Sequence, residues 1–84
     1  EGRNAVSLPT PDIDSQKQGT VKVQIKVDRE GNVVEATPGV KGSTTLDNYL
    51  LSVARKAALQ SRFDSNPDAP YYQIGTITYI FRVK

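Results

Sequence analysis

The stretch from residue 19 to residue 34, GTVKVQIKVDREGNVV, leaves this chain few options. Neighbouring side chains in a strand point to opposite faces, so Val21, Val23, Ile25 and Val27 line one side of a strand from Thr20 to Asp28, and Thr20, Lys22, Gln24 and Lys26 line the other. One face is core and the other meets water. Asp28-Arg29-Glu30-Gly31-Asn32 then supplies turn chemistry, with Gly31 able to take positive φ and Asn32 tolerant of it, before Val33 and Val34 resume an apolar run. The segment predicts a β-hairpin, and it contains nothing reactive.

The flanking segments complete a two-layer pattern. Residues 1–18 carry Gly2, Pro9 and Pro11 among polar groups, and proline biases the residue before it toward extended backbone, so Ser7 to Asp12 reads as a stretched lead-in. After Pro38-Gly39 breaks the second strand, Thr44 with Asp47 three residues on forms a capping-box variant. From Leu46, the positions Leu46, Tyr49, Leu50, Val53, Ala54, Ala57 and Ala58 follow the spacing of an amphipathic helix, with Leu59 on its outer side. The helix fades near Arg62-Phe63, residues 64–70 form a loop, and Gln73 to Val83 alternates again. There Gly75, Ile77, Tyr79, Phe81 and Val83 share one face, and Ile74, Thr76, Thr78, Ile80 and Arg82 share the other.

The fold class expected is α+β: a three-stranded antiparallel sheet in the order second, first, third strand, with one helix over the face bearing Val21, Val23, Ile25, Val27, Ile77, Tyr79 and Phe81. The regular first strand suits the centre. The 84 residues make one domain or part of one, and a start on Glu1 reads as a soluble piece of a longer polypeptide. No stretch approaches the roughly 20 apolar residues of a membrane span.

The composition bears on chemistry. There is no cysteine for a disulfide or thiolate metal site, and no histidine, the side chain most used for proton transfer near neutral pH. Eleven basic and nine acidic residues are too evenly mixed to announce a nucleic-acid partner. The carboxylate pairs Asp12/Asp14 and Asp64/Asp68 lack the ligand density of a calcium loop and read as solvated loop residues. Gly39-Val40-Lys41-Gly42-Ser43-Thr44 lacks the spacing of a phosphate-binding loop and reads as a turn. Tyr79 and Phe81 fall on the apolar face, so they read as core rather than a base-stacking platform. No enzyme activity, cofactor or metal is expected.

What remains is the sheet's edge. Unpaired N–H and C=O groups on an edge strand are a template for another chain. Natural edges are blunted by charge or proline, but GTITYIFRV has no proline and a single charge, Arg82. Such an edge can take up an extended peptide as a further strand.

The order LPTP, GTVKVQIKVDREGNV, a capped helix with ARKAALQSRF, a DSNP loop and GTITYIFRV resembles the C-terminal domain of TonB-type energy transducers, in the form common among Bacteroidetes-like proteins. The resemblance divides the chain into a Pro-containing lead-in, 1–18, and a TonB-like domain, 19–84. It implies a periplasmic domain of an inner-membrane-anchored protein that captures the TonB box of outer-membrane receptors by strand addition. Such a domain passes on energy from inner-membrane motor proteins for uptake of nutrients and siderophores. An interaction domain appended to a sensor peptidase or another envelope protein is the alternative.

Carried over residue by residue, the resemblance makes Gln73, Ile74, Gly75, Thr76, Ile77, Thr78, Tyr79, Ile80 and Arg82 the gripping strand. Leu8, Pro9, Pro11 and Ile13 fall in the segment beside the captured peptide. Many members have a Tyr-Pro pair or a nearby tyrosine in that stretch, which here is either replaced by Ile13 or missing, and Ser61 stands where many have tryptophan, so Phe63 is left to anchor that corner. A homodimer through sheet edges is a further expected partner arrangement.

Overall fold

The computed structural model describes residues 18–68 and 70–82, together with the backbone of 5–7. Its order is β1 (Ala5–Ser7), β2 (Gly19–Asp28), β3 (Val33–Pro38), α1 (Asn48–Leu59), β4 (Arg62–Phe63) and β5 (Tyr72–Phe81). The main sheet is antiparallel in the order β3-β2-β5, with the hairpin's first strand at its centre, as its unbroken alternation predicts. The helix packs over β3 and β2, and the fold is α+β. Val21, Val23, Ile25, Val27, Ile77, Tyr79 and Phe81 are all buried on the helix side. No described helix is long and apolar enough to cross a membrane.

The hairpin departs from plain alternation on its second strand. Val27 pairs with Val33 and Lys26 with Glu35, so Val34 is an inserted bulge residue. The consequence is that Val33 and Ala36 face the core while Val34 lies exposed, contrary to a continuous apolar run. At the turn, Gly31 alone adopts positive φ, at 93°, and the Asn32 N–H donates to the Asp28 carboxylate at 2.8 Å.

The helix begins later than its apolar spacing suggests. Asp47 is the N-cap, its carboxylate accepting the Leu50 N–H at 3.1 Å, and Thr44 plays no part in the cap. Leu46 therefore precedes the helix and is exposed, and Tyr49 flanks the buried stripe of Leu50, Ala54, Ala57 and Ala58. Three alanine methyls in that stripe hold the helix axis close to the sheet. Leu59, expected on the outer side, is partly buried and packs against the core, as do Leu51, Val53 and Phe63.

Thr44 serves the sheet. Its hydroxyl accepts the Thr20 N–H at 2.8 Å and its own N–H donates to the Thr20 carbonyl at 2.8 Å. The Ser43 hydroxyl accepts the Lys22 N–H at 2.9 Å, and the Lys22 carbonyl accepts the N–H groups of Gly39 and Val40. The loop after β3 thus continues along β2 where the regular strand has stopped.

A second small sheet, not expected from the sequence, joins β1 to β4 antiparallel, Ala5 opposite Phe63 and Ser7 opposite Arg62. On its other side β4 meets the hairpin turn: the Phe63 N–H donates to the Gly31 carbonyl at 2.9 Å and the Arg62 guanidinium to Asn32 Oδ1 at 2.6 Å. The lead-in is extended at Ala5–Ser7, and the remainder of the expected stretch, to Asp12, lies outside the described residues.

Candidate functional site: the outer edge of β5

Which backbone groups β5 presents follows from β2. In an antiparallel ladder the N–H and C=O of one residue point to the same side, and the side alternates along the strand. Thr20, Lys22 and Asp28 bond toward β3 and its adjoining loops, so Val21, Val23, Ile25 and Val27 direct their backbone to β5. Their partners there are Tyr79, Ile77, Gly75 and Gln73. The N–H and C=O groups of Ile74, Thr76, Thr78 and Ile80 are left directed outward, and among the described residues no strand pairs with them.

The expected gripping residues therefore separate into two sets. Ile74, Thr76, Thr78 and Ile80 offer backbone at the edge and hold their side chains on the open face of the sheet, away from the helix, where all four are exposed. Gln73, Gly75, Ile77 and Tyr79 bond to β2, and the side chains of Ile77 and Tyr79 are buried, so they hold the edge in place. Arg82 follows the strand and is exposed. Leu8, Pro9, Pro11 and Ile13 lie outside the described residues. The strand spans Tyr72–Phe81, beginning one residue earlier and ending sooner than the alternation suggested.

Two tyrosines outside the expected gripping set mark the start of this strand, Tyr71 just before it and Tyr72 its first residue. The Tyr71 and Tyr72 rings meet edge to face with centroids 4.9 Å apart, Lys26 Nζ lies 5.3 Å from the Tyr72 centroid, and the Arg29 guanidinium 5.4 Å from that of Tyr71. Lys26 is also 3.7 Å from Glu35 across the open face, which leaves its charge shared between β3 and β5. The signal in the sequence was the exposed Tyr-Tyr pair directly after Pro70.

Beneath the strand, Ser61 is fully buried and donates to the Ala57 carbonyl at 3.1 Å, filling the corner where the resemblance led to a larger residue. The Tyr79 hydroxyl is buried and has no well-formed hydrogen bond among the described residues. Burial pushes its pKa above the usual tyrosine value, and the neighbouring Ser61 hydroxyl opposes that shift in part.

The other candidates stand apart from this edge. The N–H groups of Gly39, Val40 and Thr44 donate to β2 carbonyls and do not converge on a common point as a phosphate cradle requires. Asp12 and Asp14 lie outside the described residues, and among those described no three acidic side chains gather around a common point. No family model, curated protein or solved structure matches the chain.

Proposed function

We propose that this chain is a peptide-binding module that takes up an extended segment as a fourth strand along β5. We assign it to the C-terminal domain of a TonB-type energy transducer, acting in the periplasm as part of an inner-membrane-anchored protein. The captured segment is the TonB box of an outer-membrane receptor, and the parent chain links that grip to the inner-membrane motor proteins. The observation that carries the reading is the outward row of Ile74, Thr76, Thr78 and Ile80 on a ten-residue strand with neither proline nor charge. Natural proteins seldom leave a strand of that length and apolarity unguarded. Main-chain bonds along this row supply affinity for an extended peptide, and the exposed side chains beside it supply selectivity.

The test is a titration of the dilute chain with a short receptor-derived peptide, following backbone amide shifts. The largest changes are expected on Tyr72 to Arg82, strongest at the outward amides of Ile74, Thr76, Thr78 and Ile80. Changes concentrated on the helix around Arg55, Lys56 and Leu59 would refute strand addition.

A further inference from the structure

Among the described glycines, Gly75 alone has no local reason to be glycine. Gly19, Gly31, Gly39 and Gly42 all take positive φ, at 149°, 93°, 79° and 102°, and a Cβ on any of them would come within 3.2 Å of a neighbouring atom. Gly75 does neither. Its φ lies outside that region, and a Cβ built on it would meet Ile25 in ordinary contact, 3.7 Å from Cγ1 and 3.9 Å from Cδ1. Nor does it mark a bulge: the pairing of β2 with β5 runs unbroken from Gly19 opposite Phe81 to Asp28 opposite Tyr72, with Ile25 opposite Gly75. Glycine inside a strand weakens it, because it has no side chain to pack, and where no bulge or bend calls for it, it marks the close approach of a ligand or another backbone.

The gap it leaves faces a definite way. Gly75 lies on the helix side of β5 between Gln73 and Ile77, while α1 packs chiefly over β3 and β2. Apart from its chain neighbours and those two Ile25 atoms, no described atom stands within 4 Å of where its Cβ would be. Further along the same face Ile77 and Tyr79 fill their positions with buried side chains. Gly75 therefore opens a notch walled by Ile25 toward β2 and unwalled toward the free edge.

We infer that this notch selects among captured segments by taking one aromatic side chain of the added strand, laid over Gly75. The inference rests on strand capture along β5 and states what the captured segment must carry. Side chains of an added strand alternate between faces whichever way the strand runs, so the residue beside Gly75, one strand spacing of about 4.8 Å away, stands on the helix side. A ring at that position leans across the missing Cβ toward Ile25 and covers the glycine backbone, an arrangement that restores sheet stability at edge glycines. A β-branched side chain stands upright from its own strand and leaves that backbone wet. The open face makes no such demand, since Ile74, Thr76, Thr78 and Ile80 carry side chains of their own there.

The short receptor-derived peptide is prepared with phenylalanine, leucine or alanine at each position in turn, and its affinity is measured for the unaltered chain, Gly75→Ala and Gly75→Val. Both variants are expected to melt at or above the temperature of the unaltered chain, because β5 gains strand propensity and the new Cβ meets no clash. At one peptide position phenylalanine should bind the unaltered chain on the order of tenfold more tightly than alanine, the size of a favourable aromatic contact, with leucine between them. That ratio should shrink in Gly75→Ala and vanish in Gly75→Val, whose side chain fills the notch from within. The bound ring should also move the Gly75 Hα and Ile25 δ-methyl resonances upfield. Capture with no aromatic preference at any position, a preference that survives Gly75→Val, or ring shifts elsewhere on the chain overturns the notch and leaves strand capture standing. Failure of every peptide to bind β5 overturns both.

Discussion

Gly31 and Phe63 touch backbone to backbone. The Gly31 carbonyl accepts the Phe63 N–H at 2.9 Å, and a Cβ added to Gly31, whose φ is +93°, would overlap the Phe63 carbonyl oxygen. This contact ties the hairpin turn to the segment that follows the helix. Gly31→Ala is therefore expected to cost on the order of 3 kcal/mol, combining a strained φ with a clash that only backbone movement can relieve. Chemical denaturation measures it, and an unchanged midpoint would show that the turn and β4 are not held together in this way.

Leu50 on α1 and Val23 on the central strand β2 are both fully buried in one core. Truncating Leu50 to alanine should cost about 3 kcal/mol, a large part of the stability of so small a domain, and Val23→Ala should cost somewhat less. The two sites share one core, so the double variant is expected to depart from additivity, as a double-mutant cycle would reveal.

Thr44 and Asp47, spaced as a capping box, should separate by experiment. Asp47→Ala removes the carboxylate that accepts the Leu50 N–H and should lower stability by about 1 kcal/mol, with loss of helical signal at the first turn. Thr44→Ala instead strips the Thr20 N–H of its partner and should perturb amide exchange at the start of β2, leaving the helix intact.

Proline along β5 distinguishes the edge from the ladder. At Thr78 it removes an outward N–H, which proline-tolerant edge positions can lose without unfolding, so the domain should melt cooperatively yet fail to take up peptide. At Ile77 it removes the bond to Val23 and should unfold the sheet. A folded Ile77→Pro variant and an unfolded Thr78→Pro variant would reverse the assignment of outward residues.

Tyr79 predicts an alkaline limit to stability. Its phenol is held neutral by burial, and its folded pKa lies above the unfolded value. The folded state therefore binds more protons than the unfolded state above about pH 10, so this contribution is intact below that pH and is lost as pH rises through the raised folded value. Tyr79→Phe should flatten the difference in melting temperature between pH 9 and pH 11 relative to the unaltered chain, while leaving neutral-pH stability close to unchanged.

The regular parts of the fold were readable because their periods are simple. Alternation at Val21, Val23, Ile25 and Val27 and again at Ile77, Tyr79 and Phe81 defines both buried faces, and the helical spacing of Leu50, Ala54, Ala57 and Ala58 defines the layer above them. Positions set by tertiary geometry were not readable. Val34 leaves the core because a bulge absorbs it, Leu59 packs partly buried against the core beside the alanine stripe, and Thr44 bonds to a strand 24 residues away instead of the adjacent helix. The edge itself was legible as a lack of proline and charge in β5. Which of its amides face outward became clear only through the bonds that β2 makes on its far side.

Those bonds also limit how many molecules can join. The flank of the sheet opposite β5 is a six-residue strand kinked by the Val34 bulge and ended by Pro38, with the Ser43 and Thr44 hydroxyls closing β2 beyond it. A fibre needs two adhesive edges on every subunit so that each addition exposes a new one, whereas among the described residues this sheet has one long unpaired edge, at β5, and one short, bulged edge, at β3. Under the proposed strand addition its valence is one: growth ends with the first partner, so concentrating the domain in a confined space is expected not to yield polymers.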